Sequence, residues 1–157
     1  LAAIVSLLRR LVPEASVLIV GPPDLNRVPE FAARLRGSAS TGCQALSPQE
    51  RKDHDALLAG GDDRLARWYP PPRLDDVRAA LQRVAMVQKA FYWDWSTVMG
   101  GPCGIHAWVH AKPELALPDH VLLTDEGYQR SARALFSELL QGYASYQRAR
   151  GPVTAQR

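Results

Sequence analysis

No stretch of this chain approaches the roughly 20 consecutive apolar residues that a membrane-spanning helix needs, so no transmembrane span is expected. Basic residues form no run. The net charge of +3 over 157 residues comes from scattered arginines. Arg9-Arg10, Arg34/Arg36 and Arg148/Arg150 read as solvated helix ends and a tail. Nucleic-acid binding calls for basic residues gathered on one face or stripe, so nucleic acid is not among the expected partners. Cysteine is scarce as well: Cys43 and Cys103 each sit in a Gly-rich loop. A bridge between them would close about 60 residues, contribute on the order of 4 kcal/mol in the loop-entropy picture, and fit an oxidising compartment. The sequence leaves paired and unpaired thiols equally open. No Cys-x2-Cys pair and no internal repeat occurs.

What is present suffices for one domain: 46% of the residues are hydrophobic, enough to fill a core. Ile4, Leu7, Leu8 and Leu11 recur at helical spacing, predicting an amphipathic helix over residues 1–11 that Pro13 closes. Arg9-Arg10 follow that apolar run, where a signal peptide carries its charge before it, so any export signal is expected upstream. Ser16 to Val20 reads as a buried strand of parallel type, stopped by Gly21-Pro22-Pro23. Residues 24–72 look less regular, with short helices at Pro29–Arg36 and Pro48–Leu58 and a Gly/Ser/Thr loop over Gly37–Pro48. A region this long and irregular is usually functional or partly disordered.

A helix follows over Leu74–Lys89, then a strand over Ala90–Trp93 and a helical turn over Ile105–His110. Thr124 caps a final helix whose buried face would be Tyr128, Ala132, Leu135, Phe136, Leu139 and Tyr143. Residues 1–147 form the domain and 148–157 a flexible tail. This alternation predicts an α/β fold, a parallel sheet with helices on both faces. Ligands then bind at the carboxyl ends of strands, where Gly21–Asp24, Asp94–Trp95 and Asp119 fall.

Three blocks carry a family resemblance. Pro118-Asp119-His120-Val121-Leu122-Leu123-Thr124-Asp125-Glu126-Gly127-Tyr128 resembles the last block of SGNH/GDSL-type ester hydrolases, Asp-x-x-His followed by a hydrophobic residue, Thr and Gly-Tyr. Val17–Asp24 resembles the inner strand and its exit loop. Phe91-Tyr92-Trp93-Asp94-Trp95 with Met99-Gly100-Gly101-Pro102 resembles a stretch of bacterial members similar to carbohydrate or peptidoglycan O-acetylesterases. The resemblance implies a three-layer α/β sandwich and hydrolysis of acyl esters, carbohydrate O-acetyl groups included. It also implies an extracytoplasmic setting and no cofactor. The family's Gly-Asp-Ser and Gly-x-Asn blocks are absent, so the chain reads as the C-terminal half of the domain. Its partners would be a small-molecule or glycan acyl ester, and the N-terminal half or another copy of the chain.

On that resemblance Asp119 is the carboxylate that orients the base, against the plainer reading of an acidic residue before a helix. Leu122 stands where the family has its histidine, and a leucine transfers no proton. His120 is the candidate replacement. Adjacent residues of an extended loop point in opposite directions, so His120 is expected to face away from Asp119, as an ordinary surface histidine. Gly21, Asp24, Trp95 and Trp108 are the candidate substrate contacts, weighed against a plain turn and core packing. An alternative from another class is a catalytically inactive module that binds glycan or is purely structural. Cys103, His106 and His110 fall at i, i+3 and i+7, and Asp119 or His120 would complete a tetrahedron for zinc. Gly100-Gly101-Pro102 and Gly104 disfavour a helix beginning at Cys103, and no metal ligand is assigned.

Overall fold

The run Val17–Val20 is short, β-branched and closed by two prolines, and its only partner among the described residues lies some seventy positions away. In the computed structural model, which describes residues 1–35 and 41–150, β1 (Leu18–Val20) pairs in parallel with β2 (Phe91–Trp93). Leu18 stands opposite Phe91, Ile19 opposite Tyr92 and Val20 opposite Trp93. Helices α1 (Ala2–Leu11) and α3 (Leu74–Val87) cover the face that carries Ile19 and Tyr92. Val5, Ile19 and Ala85 are buried there, with Leu81 and Val84 packed around them.

Leu18, Val20 and Phe91 remain exposed, so the expected second helical layer is not formed on their side among the described residues. The α/β class and the parallel pairing stand; the three-layer arrangement is not seen. In α1 the expected buried stripe is also corrected. Val5 is the residue buried, while Ile4, Leu7, Leu8 and Leu11 face solvent.

The region after β1 is packed rather than loose. Helix α2 (Pro48–Ala59) starts in a reciprocal capping box, the Ser47 side chain accepting from the Glu50 amide and Glu50 accepting from that of Ser47. Leu57 of α2 meets Leu46, Leu65 and Tyr69 in one cluster. Arg27 and Tyr69 exchange backbone hydrogen bonds of 2.9 and 3.0 Å. A 3-10 turn over Glu30–Leu35 buries Ala32 beside Val28 and Trp68. Residues 36–40, the end of the predicted short helix and the start of the Gly/Ser/Thr loop, lie outside the described residues.

Beyond β2, helix α4 (Trp95–Met99) is capped by Asp94 and stopped by Gly100 at φ 100°. Helix α5 (Gly104–Val109) follows. Met99, Ile105, Trp108, Val109, Leu115, Ala116 and Leu123 form the core of this half. Helix α6 (Asp125–Arg150) docks through its first turns only. Thr124 Oγ1 accepts from the Gly127 amide at 3.2 Å, and a Cβ on Gly127 would collide with the Leu115 carbonyl oxygen. The predicted buried face of α6 is a correction: Tyr128, Phe136, Leu139 and Tyr143 are exposed, Phe136 at 61%. The helix runs on through Arg150, past the expected start of the tail. Residues 151–157 lie outside the described residues.

Candidate functional site

Gly21 continues β1, its amide donating to the Trp93 carbonyl at 2.8 Å. A Cβ there would collide with the Tyr92 hydroxyl, which accounts for glycine at this strand end without any ligand. Asp24 leaves the strand end and turns inward, with 0% of its surface exposed. Its Oδ2 accepts from the Ile105 amide at 3.2 Å. Its Oδ1 lies 3.7 Å from Arg78 Nη2 and has no hydrogen bond. Arg78, buried on α3, donates to the carbonyls of Pro22 and Pro23 and to Asp75. Burial raises the Asp24 carboxyl above its ordinary value, and the Ile105 amide and Arg78 oppose that less strongly. Asp24 thus ties the β1 exit loop to α5 and reaches no solvent.

Asp119 sits in an exposed turn just before α6. Its Oδ1 accepts from the amides of Val121 and Leu122, both at 2.9 Å. The turn is closed by a 2.8 Å hydrogen bond from the Leu117 amide to the Leu122 carbonyl. Leu122 itself is 51% exposed, an apolar side chain in water beside a carboxylate. A hollow of about 260 Å³ lies against this turn, lined by Asn26, Arg27, Val28, Trp68, Pro118 and Asp119. A larger one of about 550 Å³ lies along α2 between Arg27, Arg51, Lys52 and Arg73; it shares Arg27 with the first and is lined by no predicted site residue.

His120 shares no hydrogen bond with Asp119, and it is no surface residue. It is 3% exposed and adopts φ 58°, a left-handed conformation uncommon outside glycine. Trp68 stacks on its ring at 3.6 Å, and its carbonyl accepts from the Asn26 amide at 3.0 Å. The ring Nδ1 lies 3.0 Å from the Pro118 carbonyl, which can only accept, so Nδ1 carries the proton. Nε2 is then a lone pair, and it meets His106 Nδ1 at 2.9 Å. Both ring nitrogens are engaged, neither by Asp119. Burial first, then the charge of His110, lowers His120 below its ordinary value, opposed by the Pro118 carbonyl and Asp119. Burial and the neighbouring His120 and His110 lower His106 in the same direction.

Cys43 and Cys103 form a disulfide with Cα atoms 5.8 Å apart. That removes Cys103 from any ligand set and pins the residue preceding α5. His106 of α5 and His110 at its C-cap lie with their rings 4.7 Å apart. Of the residues weighed and set aside as zinc ligands, Cys103 is excluded, while His106, His110 and His120 come together, one ligand atom from each lying within 4.8 Å of the others. The signal for two members, an i, i+4 pair, was visible in the sequence. The third, His120, was one of two candidates for the last position, and the Pro118 carbonyl and the Trp68 ring are what fix it there.

Trp108 is 4% exposed and packs in the core beneath Arg130, whose guanidinium carbon lies 5.6 Å from the ring. Trp95 is half-buried, stacked on Trp93 at 5.8 Å between ring centres, and its indole N–H donates to Ser131 Oγ at 2.8 Å. Trp95 thus holds α6 to α4.

No known family's sequence pattern matches the chain, and no curated protein matches it. A solved structure does: a peptidoglycan O-acetylesterase captured in action, superposing with a TM-score of 0.62 at 23% identity. The likeness is one of fold. It covers 92% of this chain and 31% of the esterase, so the chain spans about a third of that protein's length. No helix among the described residues is long and apolar enough to cross a membrane.

Proposed function

We propose that this chain is the C-terminal part of an SGNH/GDSL-type serine ester hydrolase domain whose substrates are acyl esters, carbohydrate O-acetyl groups foremost. The observation supporting this reading is the exposed Asp119 turn, set before α6 and against a hollow, on a fold similar to that of a peptidoglycan O-acetylesterase. The serine and the oxyanion donors would come from residues outside this chain. They would pack on the sheet face that leaves Leu18, Val20 and Phe91 exposed, supplying the third layer. A serine of this kind is a weak nucleophile until a base takes its proton, and the base must be oriented by a third group. Asp119 is the orienting group in this reading, and Leu122 fills the place of the base. In this reading Asp24, Trp95 and Trp108 are engaged by contacts within the chain rather than by substrate, and glycine at position 21 answers to the Tyr92 hydroxyl. The Cys43–Cys103 bridge favours an extracytoplasmic setting.

A second reading rests on Leu122 together with the engagement of both His120 nitrogens elsewhere. It makes the chain a catalytically inactive relative that binds glycan or is structural. One experiment separates the two: p-nitrophenyl acetate hydrolysis by the longest native polypeptide containing this segment, beside its Leu122→His variant. General base catalysis is worth about 10²–10⁴-fold, and turnover should rise by that order in the variant. Silence from both proteins, each shown to be folded, would overturn the hydrolase reading in favour of the inactive one.

A further inference from the structure

We propose that His106, His110 and His120 form a binding site for a divalent transition metal of zinc type, with a fourth coordination position open to water. The chain has four histidines, and three of them converge from α5 and the turn before α6. Two imidazoles on one tetrahedral zinc, each about 2.0–2.1 Å from the metal, lie about 3.4 Å apart. The present separations, from 2.9 Å between His106 Nδ1 and His120 Nε2 up to 4.8 Å, bracket that spacing. Side-chain rotation of the exposed His110 adjusts the longer separations, and the half-buried His106 has to draw back from His120 by about half an ångström to admit the metal.

The surroundings are those of a metal-ligating histidine. His120 donates Nδ1–H to a backbone carbonyl, the arrangement that fixes a ligand's tautomer and aims its free nitrogen. Trp68, stacked at 3.6 Å, locks the ring plane. The lone pair so fixed points at His106, and a second imidazole there is a poor reason to bury one. Metal entry needs only a tautomer exchange: His106 moves its proton from Nδ1 to Nε2 and presents Nδ1, with no net proton released. The left-handed backbone of His120, uncommon for any residue with a side chain, is what brings its ring to this position.

Oxygen-seeking ions such as magnesium would find three nitrogens and no carboxylate, so selectivity for zinc, cobalt or copper is expected. The fourth position opens on the exposed His110 side. The inference is independent of the hydrolase reading, because it needs neither a serine nor Asp119.

The test is titration of the untagged, metal-stripped chain with Zn²⁺ by calorimetry, and with Co²⁺ by visible absorption. One ion per chain is expected, with a tetrahedral cobalt spectrum and no response to Mg²⁺. His110→Ala is the deciding variant: its side chain is exposed, so the fold survives, as circular dichroism will verify. Loss of a second-shell partner costs about 10–100-fold in affinity, and loss of a ligand should cost at least as much. Absence of saturable zinc binding, or equal binding by His110→Ala, would overturn the proposal.

Discussion

At Asp24 a carboxylate has been placed where water cannot reach it, with one oxygen hydrogen-bonded and the other facing Arg78 without a hydrogen bond. Burial raises its pKa above the ordinary 3.8, so the protonated form is the one the fold prefers. The stability it contributes is therefore fully present below that value and is lost as pH rises through the folded-state value. Asp24→Asn is neutral throughout and escapes that loss. Urea midpoints of both proteins should show the variant's relative stability increasing as pH rises above the ordinary carboxylate value. A relative stability that decreases would mean that Arg78, not burial, dominates the site. Residue by residue, the sequence was most legible where chemistry is local. The i, i+4 pair of His106 and His110 can be read directly. The inward turn of Asp24 and the burial of His120 cannot, because each depends on a partner dozens of positions away: Ile105 and Arg78 for one, Trp68 for the other.

Among the elements, α5 is six residues long and would not persist alone. It is held at its start by the Cys43–Cys103 bridge and by Asp24 on the Ile105 amide. With 60 positions between the cysteines, removing the bridge by the double change Cys43→Ser and Cys103→Ser should cost on the order of 4 kcal/mol. Chemical denaturation of the oxidised protein beside that variant measures it. Element reading from sequence succeeded for α1, α2, α3 and both strands to within a few residues. It missed α4, although Asp94 at its N-cap and Gly100 at its end are the ordinary start and stop signals, because five residues leave no periodicity to detect. For α6 the periodicity was real but did not say where the apolar stripe faces: Phe136, Leu139 and Tyr143 keep helical spacing and are exposed.

For the molecule as a whole, two-stranded sheets are marginal, and here one sheet face and much of α6 present apolar side chains to solvent. Such surface drives association. Sedimentation of residues 1–157 by themselves should show concentration-dependent self-association, weakened by Phe136→Glu together with Leu140→Lys. A monomer that unfolds cooperatively at every concentration would count against these faces being covered in the native protein. Fold class was legible because helix and strand alternate in the pattern that makes parallel sheets. The number of layers was not, since the pattern records which residues are apolar and not what covers them.

The register of the sheet carries a consequence for kinetics. Leu18 must find Phe91, 73 positions along the chain, before β1 and β2 exist. Encounters over such a span are rare, and topologies built on them fold slowly. The Cys43–Cys103 cross-link cuts across this loop. Through it, the path from Leu18 to Phe91 falls to about 37 steps, 25 to Cys43 and 12 back from Cys103, and each halving of a loop eases closure by about 0.6 kcal/mol. The bridge therefore does more than hold the finished molecule together. Formed early, it is a shortcut that brings the two strands into each other's reach.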